Sequence, residues 1–145
     1  MPIQHAIWTV GGKPVALAAT KLPSEQKLEE MIVGDLRILS SEWMLIGRQE
    51  ATSSGGRIDL LAITPDGSLV LIELKRDRTP RETIAQALDY ASWVATLEAD
   101  AIAKIFQRLV GKGNLVRAIE RRFVKFGAKA LQKRVGQIQI GRAHV

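Results

Sequence analysis

The chain has 145 residues, 46% hydrophobic and 25% charged, a balance that fits one globular domain with a buried core and excludes a disordered tail. It holds no apolar run near the roughly 20 residues that span a bilayer and no secretion-signal pattern at its start, so the expected location is the cytoplasm, with no membrane partner. Cysteine is absent and the two histidines, His5 and His144, stand far apart. That excludes disulfides, thiol catalysis and a histidine-based metal site, and leaves carboxylates as the metal-binding groups, which suits Mg²⁺ or Mn²⁺.

Gln4–Val10 and Lys13–Ala19 are short apolar runs around Gly11-Gly12, which predicts an N-terminal β-hairpin with a two-residue loop over residues 1–22. Pro23-Ser24 opens a helix with Leu28 and Ile32 on one face, and Gly34 closes it. Strands are predicted at Trp43–Glu50, Arg57–Thr64 and Leu69–Lys75. Thr79-Pro80-Arg81-Glu82 combines a capping box with proline at the first helical position, so a helix runs from Thr79 to about Leu97. Further helices are predicted over Ala99–Val110 and from about Leu115, with Leu115, Ile119 and Phe123 in register. The net charge of +6 gathers late in the chain: Lys112, Arg117, Arg121, Arg122, Lys125, Lys129, Lys133 and Arg134 face a single acid, Glu120. Such a stretch suits a polyanion, although charge alone is equally well read as a solvated helix face. The terminal Ile140–Val145 spells what a common sequencing adapter encodes in one frame before a stop. These six residues are therefore expected not to be native, and the domain, residues 23–139, to continue in the natural chain.

The loop Thr64-Pro65-Asp66-Gly67 suits a type I turn followed by a left-handed glycine bulge, which makes Thr64 face Ser68. That register brings Asp59 opposite Glu73 on one side, with Lys75 beside them because alternate residues of a strand share a face. Ile58, Leu60 and Ala62 should then lie with Leu74, Ile72 and Val70 on the other side, and Leu61 and Ile63 with Leu71 and Leu69. Opposed carboxylates on a hairpin covered on both faces repel one another, and a divalent cation between them, helped by the Lys75 ammonium, would offset the repulsion. A plain Glu73–Lys75 or Asp59–Lys75 ion pair at a sheet edge is the alternative. Gln86 and Tyr90, one helical turn apart, can reach one point beside the end of the hairpin. Trp93 reads as core.

Gly-Arg-Ile-Asp-Leu-Leu-Ala (Gly56–Ala62), Leu-Ile-Glu-Leu-Lys-Arg (Leu71–Arg76) and the Gln86-x-x-x-Tyr90 spacing, in order on strand, strand and helix, resemble the PD-(D/E)xK nuclease superfamily. Within it the likeness is to RecB-like members and to the nuclease domain of the mismatch endonuclease NucS. The resemblance runs from about Ser24 to Leu97 and more weakly to Gln139. It implies an α/β fold with a restriction-endonuclease-like core, a central mixed sheet containing an antiparallel hairpin and flanked by helices. It implies metal ligation by Asp59 and Glu73, with the Leu74 carbonyl and a helix acid, best matched by Glu29, though Glu25 and Glu30 stay open. Lys75 would activate water and steady the phosphate, and Gln86 and Tyr90 would set the helix against the site. Ile58 stands where the motif's name has proline. Family members continue past Gly136–Gln139 through a further strand and helix.

These readings converge on a Mg²⁺- or Mn²⁺-dependent DNA endonuclease acting in repair, recombination or defence. Arg57, Arg76, Arg78, Arg81, Arg121, Arg122 and Lys125 would hold the phosphate backbone. Two other classes stay open: a nucleic-acid-binding module on the same fold that does not cut, and a structural or dimerisation domain. A homodimer is compatible with the sequence.

Overall fold

A computed structural model describes residues 7–18, 21–75 and 80–124 of the chain. Strands β1 (Trp8–Thr9) and β2 (Val15–Ala16) form the N-terminal hairpin. Its register pairs Trp8 with Ala16 and Thr9 with Val15, so residues 10–14 form the loop rather than the two glycines alone. Gly11, at φ 141°, lies outside the left-handed values that a two-residue type I′ turn requires.

Helix α1 (Glu25–Gly34) starts where the Ser24 hydroxyl accepts the Lys27 backbone N–H. Gly34 ends it, but not through a left-handed turn: Asp35 follows in extended conformation and its N–H returns to Met31. The Asp35 side chain then caps a short 3₁₀ turn, Leu36–Ile38. Three antiparallel strands follow in the order β3 (Met44–Ala51), β4 (Arg57–Ile63) and β5 (Leu69–Ile72). Helices α2 (Pro80–Ala95), α3 (Ala99–Val110) and α4 (Leu115–Arg122) complete the described chain. The protein is thus mixed α/β. Its sheet is antiparallel throughout the described residues; Thr79 of the predicted capping box and the further strand near Gly136–Gln139 lie outside them.

The sheet is covered on both faces. Ile32 and Leu28 of α1 pack with Leu60, Ala62, Val70, Ile72 and Leu74. On the opposite face, Tyr90 and Val94 of α2, Ile102, Ile105 and Phe106 of α3, and Leu115, Ile119 and Phe123 meet Ile46, Leu61 and Ile63. The four-residue spacing of Leu115, Ile119 and Phe123 therefore marks a buried stripe, all three being nearly inaccessible. Glu50, buried on β3, is paired across the same interface with Arg108 of α3 at 2.5 Å.

The β4–β5 turn is the one its residues dictate. Thr64 N–H donates to the Ser68 carbonyl, Gly67 is left-handed at φ 82°, and β4 and β5 pair as Leu60 with Ile72 and Ile63 with Leu69. The Asp66 carboxyl is held below its ordinary range by the Thr64 hydroxyl first, then by the Ser68 backbone N–H and hydroxyl. A carboxyl depressed in the folded state contributes stability above its unfolded pKa near 3.9 and loses that contribution as pH falls through its folded value. Asp66→Asn should therefore lower the denaturation midpoint at neutral pH, with the difference from wild type closing below about pH 4. Urea titrations of both proteins across pH check this; a pH-independent difference would contradict it.

Candidate active site

Strands β3 and β4 depart from simple alternation at a bulge between Leu45 and Gly47 and again at Gln49, and the second place makes the site. The ladder runs from Arg48–Leu60 to Glu50–Ile58 with no Gln49–Asp59 pair between them. Gln49 is left-handed, φ 52°, the only non-glycine with positive φ among the described residues. Such a conformation costs a residue with a Cβ about 1–2 kcal/mol. The kink puts Arg48 and Gln49 on the same side, where both donate to Glu29 of α1. On β4 the facing residues match it: Asp59 turns towards α1, as Leu60 does, while Ile58 packs with Leu61 and Ile63 on the other face. Strict alternation would have put Ile58 with Leu60 and Asp59 with Leu61; the structure has both the other way round, opposite the left-handed Gln49.

Strand β5 ends at Ile72, short of the predicted Lys75, and the reason is again Asp59. Thr64 N–H bonds the Ser68 carbonyl, and alternate pairs along an antiparallel ladder repeat that exchange, so Leu74 N–H would next donate to the Ile58 carbonyl. It donates instead to Asp59 Oδ2, at 2.8 Å. A side-chain carboxylate has taken the place of the neighbouring strand, and Glu73 to Lys75 leave the ladder. Asp59 is thereby tied to the residue between Glu73 and Lys75.

Glu25, Gln26, Glu29, Arg48, Gln49, Asp59 and Leu74 line an open cavity of about 410 Å³. Glu29 is buried, with Oε1 at 2.6 Å from Arg48 Nε and Oε2 at 2.7 Å from Gln49 Nε2; the same Nε2 stands 3.3 Å from Asp59 Oδ1. Glu25 also faces the cavity, whereas Glu30 is exposed and pairs with Gln26 and Lys27. Glu73 is not part of this lining. Its side chain is 4% exposed; Oε1 is ion-paired with Lys75 Nζ at 2.8 Å, and Oε2 has no hydrogen-bond partner. Among the described residues no three acids or histidines stand together as a ready metal-holding group.

Gln86 and Tyr90 do meet at one point, the start of β4. Gln86 Nε2 donates to the Tyr90 hydroxyl at 2.6 Å, and that oxygen also accepts the Arg57 backbone N–H at 3.2 Å. Tyr90 is buried with its ring against Gly56, where a Cβ would come within 2.4 Å of the ring and 2.7 Å of the hydroxyl. Thr52 closes the same loop through its hydroxyl, which accepts from Gly56 N–H and donates to the Gly56 carbonyl. The glycine in Gly56-Arg57-Ile58-Asp59 is thus a packing requirement that sequence reasoning did not assign. These contacts fix β4 two residues before Asp59, from the face opposite α1.

Of the basic residues, Arg57, Arg81 and Arg121 are exposed. Arg122 donates to the Ser41 carbonyl at 2.6 Å and the Trp43 carbonyl at 3.3 Å, pinning α4 to the segment before β3. Arg76, Arg78 and Lys125 lie outside the described residues.

Residues 24–113 match the sequence profile of the endonuclease NucS C-terminal domain. The chain belongs to that family. The matched span covers α1, the three-stranded sheet, α2 and α3, and so includes Glu29, Asp59, Glu73, Lys75, Gln86 and Tyr90. No curated protein and no solved structure matches the chain. The family is one of endonuclease domains, so its substrate class is nucleic acid, and no helix among the described residues is long and apolar enough to cross a membrane.

Tyr90→Phe leaves Arg57 N–H and Gln86 without their shared acceptor and should destabilise the fold by about 1–3 kcal/mol. Gly56→Ala drives a methyl group into the Tyr90 ring and should cost a similar amount, about 1–3 kcal/mol. Chemical denaturation measures both, and in the double variant the costs should fall short of additive because the two changes disrupt one contact. Full additivity would contradict the shared clamp.

Proposed function

We propose that this chain is a divalent-metal-dependent DNA endonuclease with the restriction-endonuclease-like core of the PD-(D/E)xK superfamily, acting in repair, recombination or defence. One observation carries the reading: Glu73 holds a buried carboxylate whose Oε2 has no hydrogen-bond partner, one residue from the backbone group that binds Asp59. An anion desolvated this way is costly unless a cation compensates it. Lys75 matches that one charge beside Oε1, while Asp59, held only by neutral amides, brings a second negative charge that a divalent ion would offset.

The donor set fits a hard cation. Asp59, Glu73 and Glu29 offer carboxylate oxygens, and the Leu74 carbonyl is the further protein ligand that the family pattern indicates; Mg²⁺ keeps several waters, so few protein ligands suffice. When bound, such an ion polarises the phosphoryl oxygen and lowers the pKa of a coordinated water. The remaining work falls to the chain. Lys75 stands over Glu73 to steady negative charge on the phosphate and orient the attacking water. The Leu74 N–H fixes Asp59, and the Gln86–Tyr90 clamp fixes the strand that carries it. Exposed Arg57, Arg81 and Arg121, with Arg76, Arg78 and Lys125, would hold the backbone without reading sequence. Arg122 is engaged with carbonyls and contributes there only by giving them up.

Purified protein should nick or cleave DNA with Mg²⁺ or Mn²⁺ and not with chelator. Asp59→Ala and Glu73→Ala should abolish cleavage, and Lys75→Met should slow it by roughly 10²-fold or more. A panel of branched, mismatched, single-stranded and duplex substrates resolves the preferred structure. Wild-type rates in Asp59→Ala would overturn the proposal, and salt-sensitive DNA binding without cleavage of any substrate would assign the chain to the non-cleaving class instead.

A further inference from the structure

Gln49 belongs to the site, yet no sequence motif singles it out. It stands opposite Asp59 where the β3–β4 ladder lapses, in a left-handed conformation that a glutamine has no intrinsic reason to adopt. All four oxygens of Glu29 and Asp59 accept N–H donors. Arg48 holds Glu29 Oε1 at 2.6 Å, and Leu74 holds Asp59 Oδ2 at 2.8 Å. The remaining two, Glu29 Oε2 and Asp59 Oδ1, are spanned by one atom, Gln49 Nε2, at 2.7 and 3.3 Å.

These donors are not equally replaceable. The Leu74 N–H is part of the backbone, and Arg48 brings a full charge to a buried acid. Gln49 is a neutral amide on an exposed residue, able to swing into water at little desolvation cost. A cation held by Glu29 and Asp59 would therefore compete with Gln49 rather than with Arg48 or Leu74. We propose that Gln49 is a positioning residue: its amide holds the Glu29–Asp59 pair together while no cation is bound and yields both oxygens when one arrives, so it sets the cation affinity of the site. This rests on the metal-dependent reading above.

By linkage, deleting the donor destabilises the cation-free form, in which two carboxylates lose their bridge, and leaves the bound form largely as it was, so the cation binds more tightly. Gln49→Met keeps the side-chain length without the donor. In calorimetric titrations of the full chain it should bind Mn²⁺ roughly tenfold more tightly than wild type, the size expected for losing hydrogen bonds to charged groups. Its melting temperature should be lower without metal and should approach that of wild type at saturating Mn²⁺. Gln49→Gly removes the donor and relaxes the backbone, and should show the same tightening. Mn²⁺ affinity unchanged or weaker in Gln49→Met, while Asp59→Ala abolishes binding, overturns the role of Gln49 alone. Tightening in Gln49→Gly without tightening in Gln49→Met does so too, by tracing the effect to the backbone. Mn²⁺ binding that Asp59→Ala leaves untouched overturns both this inference and the metal site beneath it.

Discussion

The site depends on one hydrogen bond, from the Leu74 backbone N–H to Asp59 Oδ2. A continued ladder would have spent that N–H on a carbonyl and carried Glu73 and Lys75 on as ordinary strand residues. Because a carboxylate accepts it, the strand parts from its neighbour where Glu73 and Lys75, the proposed acid and lysine, stand. A charge-assisted bond to a carboxylate is also stronger than the carbonyl bond it replaces, so the departure from the sheet does not weaken the join. Asp59 is at once a strand-ending device and the acid proposed to hold the cation.

Two further constraints act on the same short stretch of β4 from opposite faces. From the α1 side, the bulge at Leu45–Gly47 and the left-handed Gln49 together leave Arg48 and Gln49 both facing Glu29, which brings an acid from a distant helix to Asp59. On the α2 side, the Tyr90 hydroxyl and the bare Cα of Gly56 hold the strand's first residues. Neither helix needs to touch the reacting phosphate to matter. Each fixes the direction of a strand whose third residue is Asp59, and small errors in such positioning are expensive for catalysis.

Much of this was legible in the residues. Pro65-Asp66-Gly67 dictated the turn and through it the β4–β5 register, because glycine takes the left-handed φ at that point without steric cost. Leu115, Ile119 and Phe123 announced a buried helix face, and the four-residue spacing of Gln86 and Tyr90 announced a shared contact. The break in alternation was not legible. Arg48-Gln49-Glu50 contains no glycine, asparagine or proline to mark a left-handed residue, so Ile58 and Asp59 were assigned to the wrong sides. The Glu50–Arg108 pair and the capture of Arg122 by the Ser41 and Trp43 carbonyls join residues far apart in sequence, and composition gives no hint of such partnerships. A charge count treats Arg122 as a phosphate contact; its geometry makes it a strut.

The most direct test of the central claim, a divalent cation seated beside Asp59 and Glu73, is paramagnetic broadening by Mn²⁺ in amide-resolved NMR spectra of the full chain. Substoichiometric Mn²⁺ should broaden the Leu74 and Lys75 backbone amides and the Gln49 side-chain amide first, with α4 untouched, and Asp59→Ala should remove the effect. Broadening that spares Leu74, or that persists unchanged in Asp59→Ala, would contradict the claim.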